Sequence, residues 1–373
     1  MSPLRLGPIA GRPAATSRRS GLGRARALWL GLSAALVGAL FLLSPFLLKK
    51  GVAKEQVRLP AAALQAIREI FPKVAILEAT MQDDDGVTLF AVEMKVGEKY
   101  VEVLASPDGV VVEVSIEISS ADVPEAVLAA IRKVAEGAQI TEFDIVGDHA
   151  EVRDGKFARL LAARTAYWAE FEKGGMGGEV TVAPDGTIVE TATEIEAKDV
   201  PEAALAAIRK AAEGARITEI DREETHAEPK GGTFAKLDNV RTAYWAEFVK
   251  GELTGEITVA PDGTVVETSD ELEAKDVPEA ALAAIRKAAE GAQITELGRD
   301  ETRAELEGGK FVELPKAEVF YWAEFQKDEL AAEVSVAPGG AVEEVLRWKC
   351  ITEPAGEDSK KSAGPRPVKG KRP

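Results

Sequence analysis

The sequence repeats itself at a constant interval. The stretch VPEAVLAAIRKVAEGAQIT starts at Val123, and close copies start at Val200 and Val277. TAYWAEF starts at Thr165 and again at Thr242, and VFYWAEF starts at Val319, which is the same interval. A fixed period of this length indicates tandem copies of one supersecondary unit, so the fold of a single copy constrains most of the chain.

A fourth, divergent copy precedes these three. It reads LPAAALQAIREIFPKVAILEA from Leu59, then TLFAVEMK from Thr88 and SPDG from Ser106. It is shorter than the others, and everything that it lacks is missing between its first strand and Thr88. The chain is therefore predicted to carry four repeats, the first with a shortened hairpin.

Each repeat opens with a short amphipathic helix. A proline starts it, where its missing N–H costs nothing, and in the last three repeats a glutamate follows in the first turn, where the helix dipole favours negative charge. Leu128, Ile131 and Ala135 fall on one stripe at helical spacing. So short a helix is unstable alone in water, and it must therefore pack against something.

The segments after each helix have the alternation of strands. ITEFDI, TAYWAEF and EVTVAPDGTIVET follow one another, and a Pro-Asp-Gly turn divides the last of them. The predicted fold class is α+β, with tandem repeats that each pack one helix on an antiparallel sheet of about four strands, after an N-terminal transmembrane helix. The predicted ranges are 1–26 for a basic cytoplasmic N-terminus, 27–48 for the transmembrane helix, 58–120, 121–198, 199–275 and 276–350 for the repeats, and 351–373 for a basic disordered tail.

The transmembrane prediction depends on ALWLGLSAALVGALFLLSPFLL, residues 27–48, which carry no charge. These residues span about 33 Å as a helix, enough for a hydrocarbon core of about 30 Å. Four arginines precede the segment closely, which predicts a cytoplasmic N-terminus and repeats outside the cytoplasm, in the periplasm or at the cell surface. The alternative is a cleaved signal peptide, which would make the protein secreted, but the apolar core is longer than is typical of one.

Charge is distributed unevenly along the chain. Of 46 basic residues, eight lie in 1–50 and six in 359–373, and neither segment has an acid. Residues 51–358 thus hold all 63 acidic residues against 32 basic ones. So negative a body repels nucleic acid and gains nothing from counterion release, which argues against DNA or RNA as a partner. The basic tail is typical of a solvated segment, or of one that touches an anionic surface.

The sequence offers little material for catalysis. It has one cysteine, Cys350, and two histidines, His149 and His226, which are repeat equivalents; the fourth repeat has Arg303 there. Nucleophilic catalysis needs a base beside its nucleophile, and zinc sites need clustered histidines or cysteines. We predict no enzymatic activity, no catalytic residue, no cofactor and no metal.

The YWAEF strand has two different faces. Tyr167, Ala169 and Phe171 point one way, and the corresponding positions are apolar in all four repeats. This face is predicted to lie beneath the helix. Trp168 and Glu170 point the other way, and the divergent repeat keeps only the glutamate.

The tryptophans are not needed for the core of a one-helix unit, so they are candidate contacts. Packing between repeats, or burial on the sheet, would explain them. An open face with tryptophan and glutamate also suits protein recognition, and carbohydrate stacking is a third interpretation. One glutamate per repeat is also explained by simple solvation. The candidate partner-binding residues are Trp168, Trp245, Trp322, Glu170, Glu247 and Glu324.

The order of these motifs resembles PepSY-like domains, also called beta-lactamase-inhibitor-like domains. A prolyl-started alanine-rich helix, an ITE strand, an aromatic-Ala/Val-Glu strand and a PDG turn, or their equivalents, recur in this order four times between Leu59 and Val345. The resemblance implies a non-catalytic module outside the cytoplasm, often in tandem, found in propeptides of secreted proteases or as an inhibitor-like unit whose open sheet faces a protein.

Two functions follow as expectations from the sequence. The first is a membrane-anchored protein that binds or inhibits an envelope or secreted protein, with a protease or its precursor as a candidate. The alternative is a structural, acidic spacer or scaffold without a specific ligand.

Overall fold

The computed structural model describes residues 59–349, except 73, 85–86, 154–155 and 328–329. The predicted cytoplasmic segment 1–26, transmembrane helix 27–48 and tail 351–373 lie outside these residues. Among the residues described, none of the helices is both long and apolar enough to cross a membrane.

One antiparallel sheet of sixteen strands dominates the fold. The strands follow one another in chain order, and each pairs with the next. In each repeat the first two strands form the hairpin that contains YWAEF or its equivalent, and the last two flank the Pro-Asp-Gly or equivalent turn. The strands are β1 Ile76–Asp84, β2 Val87–Val96, β3 Lys99–Ala105, β4 Val111–Glu117, β5 Gln139–Arg153, β6 Lys156–Lys173, β7 Met176–Val182, β8 Ile188–Glu194, β9 Arg216–Lys230, β10 Thr233–Lys250, β11 Leu253–Val259, β12 Val265–Glu271, β13 Gln293–Glu307, β14 Lys310–Lys327, β15 Leu330–Val336 and β16 Val342–Lys349.

Four short helices accompany the sheet, one per repeat. Each follows a proline at its N-cap, whose fixed φ prepares the first turn. Arginine or lysine occupies the last turn of every helix, where it complements the helix dipole. The helices are α1 Ala61–Ile70, α2 Glu125–Val134, α3 Glu202–Ala211 and α4 Glu279–Ala289.

The predicted fold class is wrong in its central feature. We expected each repeat to have its own sheet of about four strands, behind a transmembrane helix. Instead β4 pairs with β5, β8 with β9 and β12 with β13, so the sheet runs across every repeat boundary and belongs to the chain as a whole. The physical reason is that four separate sheets would leave the outer strands of every repeat with unpaired N–H and C=O groups, whereas joining them satisfies these groups.

The helices bury their apolar stripes on one face of this sheet. In the third repeat Ala204 and Ile208 are fully buried and pack with Tyr244 and Ile257. Burying an isoleucine side chain contributes about 1.5–3 kcal/mol, which is more than the helix gains from its own propensity. Tyr167 and Tyr321 join the equivalent clusters, so the predicted helix-covered face of the YWAEF strands is confirmed.

The long hairpins of the later repeats reach back onto the preceding repeat. Phe234, near the tip of the β9–β10 hairpin, packs on Ala166, Ala183 and Val189 of the second repeat. Phe157 packs in the same way on a cluster that includes Leu89 and Val112 of the first repeat. The segment that the first repeat lacks corresponds to this extension. The extension therefore serves as a brace between adjacent repeats.

The two edges of the sheet come together. Strand β1 lies in contact with β16 in addition to its partner β2. A sheet of sixteen strands can bring its ends together only by curling across its width, in the direction that strand twist favours. All four repeats therefore share one curved sheet.

Candidate functional site: the helix-free face of the sheet

The candidate site lies on the face of the sheet that the helices do not cover, which we call the helix-free face. Trp168 is adjacent in register to Asp144 on β5 and Thr181 on β7, and Glu170 lies one step further along the same strand. Trp245 and Glu247 have the equivalent positions in the third repeat. Strand alternation thus places each predicted tryptophan and its glutamate on this face.

Two of the three tryptophans are nevertheless buried. Trp168 is 9 % exposed and Trp245 is 4 % exposed, whereas Trp322 is half-buried. Thr181, beside Trp168, is only 4 % exposed. None of the helices that the structure describes packs on this face; Phe234 of the β9–β10 hairpin packs on it at Ala166, on the strand of Trp168, and at Ala183, just beyond the strand of Thr181.

The buried indoles are fixed by hydrogen bonds to acids. Trp168 Nε1 donates to Glu179 Oε2 at 3.3 Å, and Trp245 Nε1 donates to Glu256 Oε2 at the same distance. Both acceptors lie on the strand that follows in the sheet. Each indole therefore lies across the boundary between the second and third strands of its repeat.

Trp322 is oriented differently. Its Nε1 donates to Asp300 Oδ1 at 3.0 Å, on the preceding strand β13. The residue beside it is Gly298, where the other two repeats have Asp144 and Asp221, and a Cβ on Gly298 would lie 2.1 Å from the indole. The missing side chain makes room for the ring to turn toward β13.

The predicted glutamates stand in rows of three. In each of the last three repeats, the glutamate of YWAEF lies directly opposite a second glutamate on the preceding strand and a third on the following strand. Cβ atoms at such positions are about 4.5–5.5 Å apart, and like charges there disfavour each other. The three rows are Glu142–Glu170–Glu179, Glu219–Glu247–Glu256 and Glu296–Glu324–Glu333.

Burial and neighbouring carboxylates raise the pKa of two of the predicted glutamates, Glu170 and Glu324. Burial raises the pKa of Glu170, and the carboxylate of Glu172 adds to the effect. Burial, together with Glu296 and Glu271, raises the pKa of Glu324 to about 7. In the third repeat Thr218 Oγ1 donates to the carboxylate of Glu247.

Further acids gather on the helix-free face where one repeat meets the next. Glu190 on β8 and Glu223 on β9 flank the second boundary, and burial raises their pKa values to about 8 and about 7. At the third boundary, burial and the nearby Asp300 raise the pKa of Glu267 to about 8. The pKa of Asp300 itself is raised to about 6 by burial. These four acids thus hold their protons more tightly than carboxylates in water.

One buried ion pair of the second repeat lies on this face, and its arginine also contacts the third repeat. Arg164 Nε donates to Asp148 Oδ2 at 2.9 Å, and both side chains are nearly inaccessible. Arg164 Nη1 donates to the carbonyl of Gly231 at 3.1 Å, and its guanidinium lies 5.7 Å from the centre of the Phe234 ring. Burial raises the pKa of Asp148 to about 6, although Arg164 opposes this.

The two histidines lie on the long hairpins, opposite extra residues in the partner strand. His149 faces a bulge between Arg159 and Arg164, and burial lowers its pKa. His226 Nε2 lies 3.6 Å from a carboxylate oxygen of Glu224. Over residues 59–349, outside the gaps given above, no group of three His, Cys, Asp or Glu side chains is arranged to hold a metal ion.

Sequence reasoning missed the outer members of the glutamate rows. Their signal was present, since Glu142, Glu219 and Glu296 recur in the ITE motif, and Glu179, Glu256 and Glu333 recur before the Pro-Asp-Gly or equivalent turn. The period alone does not show that three strands bring them side by side, because that depends on register.

Comparison with known proteins finds limited similarity. No family model matches the sequence, and no curated protein matches it significantly. Similar solved structures include DUF2874 family proteins from Bacteroides uniformis ATCC 8492 and Bacteroides ovatus ATCC 8483, and a BLIP-like protein from Bacteroides fragilis NCTC 9343. Their identities with this chain are 17 %, 14 % and 16 %, each with a TM-score of 0.26. The matches cover 39 %, 40 % and 41 % of this chain, and 88 %, 87 % and 90 % of the other chains. The resemblance to PepSY-like domains stays a prediction.

Proposed function

We propose that this protein is a non-catalytic binding protein that works outside the cytoplasm, anchored by residues 27–48. Its helix-free face binds a protein of the envelope or a secreted protein, in the manner of an inhibitor, and a protease or its precursor is a candidate partner. The observation that carries the proposal is the repetition of glutamate rows, each with a tryptophan, on the one sheet face that no helix covers.

The burial of the indoles refines which residues contact the partner. Trp168 and Trp245 expose little of their side chains to solvent, so a partner would contact little of either indole. Their role is to hold Glu179 and Glu256 in position by hydrogen bonds. The half-buried glutamates and Trp322 supply the surface itself. An acidic face of this kind favours a partner with a basic patch and speeds its association.

Substitution of the tryptophans by alanine is a poor test, because removing a buried indole costs about 3–5 kcal/mol of stability whether or not a partner exists. The better variant changes Glu170, Glu247 and Glu324 together to glutamine, which keeps size and removes charge. The matched control changes Glu125, Glu202 and Glu279 to glutamine. These are exposed on the helices and remove the same charge from the other face.

The experiment captures proteins from an envelope extract on the purified full chain, at pH 8 and low salt. We expect a saturable partner that the first variant loses and the helix control retains. Equal capture by both variants would show that the helix-free face is not the binding surface.

The acidic spacer remains the second candidate, and one observation favours it. The sheet is continuous across repeat boundaries and the hairpins brace adjacent repeats, which makes a stiff body. A spacer would capture no saturable partner with either variant.

A further inference from the structure

The helix-free face has a strong excess of acid over base. The three glutamate rows and the acids at the repeat boundaries all lie on it. Arg164 and Arg241, two basic side chains on this face, already pair with Asp148 and Glu228. Neighbouring carboxylates disfavour each other, so the face would gain from a ligand that brings several positive charges at once.

The chain itself carries such a ligand. Residues 359–373 read SKKSAGPRPVKGKRP, with six basic residues and no acid.

The chain leaves the sheet close to the glutamates. Strand β16 ends at Lys349, opposite Leu330, and Leu346 on the same strand lies opposite Glu333. The end of β16 is therefore about 10 Å along the strand from the last glutamate row. The segment from Ile351 to Pro373 can extend up to roughly 75 Å, which is enough to reach the other rows.

We propose that the C-terminal segment 359–373 binds to the helix-free face of its own chain, with its lysines and arginines lying among the glutamate rows. The charge excess of the face, the charge of the segment and the point at which the chain leaves the sheet carry this inference. It stands independently of the proposed function. If both hold, the segment competes with the partner for one surface.

Zero-length cross-linking tests the proposal on the purified full chain, with no partner present. A carbodiimide joins lysine amines to carboxylates that are in contact, and mass spectrometry maps the products. An equal mixture of isotope-labelled and unlabelled protein separates links within one chain from links between chains. We expect Lys360, Lys361, Lys369 and Lys371 to link within one chain to acids of the helix-free face.

Salt and a charge variant complete the test. Exposed ion pairs are screened at high ionic strength, so the yield of these links should fall several-fold between about 50 mM and 1 M salt. The full chain with all six basic residues of 359–373 changed to glutamine should show tryptophan fluorescence that no longer responds to salt, whereas the unmodified chain responds.

Three results would overturn the proposal. Links to Glu125, Glu202 and Glu279 as frequent as those to the helix-free face would show that the segment has no preferred surface. Links that join only differently labelled chains would show that a second copy supplies the segment. The absence of links from these lysines, together with the same salt response in both proteins, would show that the segment does not bind this face.

Discussion

Trp322 lies over Gly298, in space that a side chain fills in the two preceding repeats. The equivalent residues are Asp144 and Asp221, and there the indoles turn the other way, toward Glu179 and Glu256. A single glycine therefore decides the orientation of a tryptophan on the candidate binding face.

Changing Gly298 to alanine should reverse that orientation. The new Cβ would lie 2.1 Å from the ring, too close to be accommodated, so the indole must rotate or the strand must shift. We expect a loss of about 1–3 kcal/mol in the free energy of unfolding and a changed Trp322 emission spectrum. Gly339→Ala is the control, because a Cβ there meets nothing within 4 Å. Unchanged stability and emission in Gly298→Ala would contradict the structure at this position.

Changing Arg164 to methionine should strongly destabilise the contact between the second and third repeats. The substitution leaves Asp148 buried without its cation and removes the donor to the Gly231 carbonyl. Breaking a buried pair in this way costs about 3–5 kcal/mol, which urea denaturation would measure. Adding Asp148→Asn should recover part of this loss, since it removes the uncompensated charge. A double variant less stable than Arg164→Met alone would show that the pair is not the cause.

Stability should fall as pH rises from about 5 to about 9. In the folded protein burial raises the pKa of Glu267 to about 8, whereas the unfolded chain has an ordinary value near 4.5. The folded state therefore binds the Glu267 proton more tightly than the unfolded chain does. The resulting contribution to the free energy of unfolding is complete below pH 4.5 and is lost as the pH rises through 8. Glu190, Glu223 and Glu324 act in the same direction.

The measurement is the melting temperature as a function of pH, for the full chain and for Glu267→Gln. Glutamine resembles the protonated acid and does not ionise. Between pH 6 and pH 9 the free energy of unfolding should therefore fall less in the variant than in the unmodified chain, and the difference should be roughly 1–2 kcal/mol after solvent screening is allowed for. Glu279→Gln, on the exposed surface of α4, should leave the profile unchanged. A profile that rises toward pH 9 would contradict the raised pKa values.

Changing Gly186 to alanine should destabilise the second repeat at its Pro-Asp-Gly turn. Gly186 has φ +85°, and a Cβ there would lie 3.0 Å from the carbonyl oxygen of Ala126 in α2. Both the backbone strain and the close approach oppose a side chain, so we expect a loss of about 1–3 kcal/mol. Gly177→Ala meets nothing within 4 Å and is the matched control. Equal melting temperatures for the two variants would contradict this account.

Local alternation in the sequence was sufficient to separate the two faces of the sheet. Tyr167, Tyr244 and Tyr321 lie beneath helices and the tryptophans lie opposite, because strand geometry fixes side-chain direction residue by residue.

Features that depend on contacts between distant strands were not predictable. The sequence of β4 alternates in the same way whether its outer edge stays exposed or pairs with β5. The local sequence therefore does not indicate that the sheet continues into the next repeat. The same applies to the partners of Glu170, since register joins it to Glu142 and Glu179, which are distant in the sequence. The turning of Trp322 depends on Gly298 in the preceding strand, which is also distant in the sequence.

The contact between β1 and β16 has a consequence for how this protein tolerates changes in repeat number. Because its first and last strands lie in contact, each edge leaves less room for a foreign strand to add, and exposed edges are where β proteins aggregate. Deleting or duplicating one repeat would alter the circumference and part those strands. Gene variants with one repeat fewer or one more should therefore be more prone to self-association, even though every unit is intact.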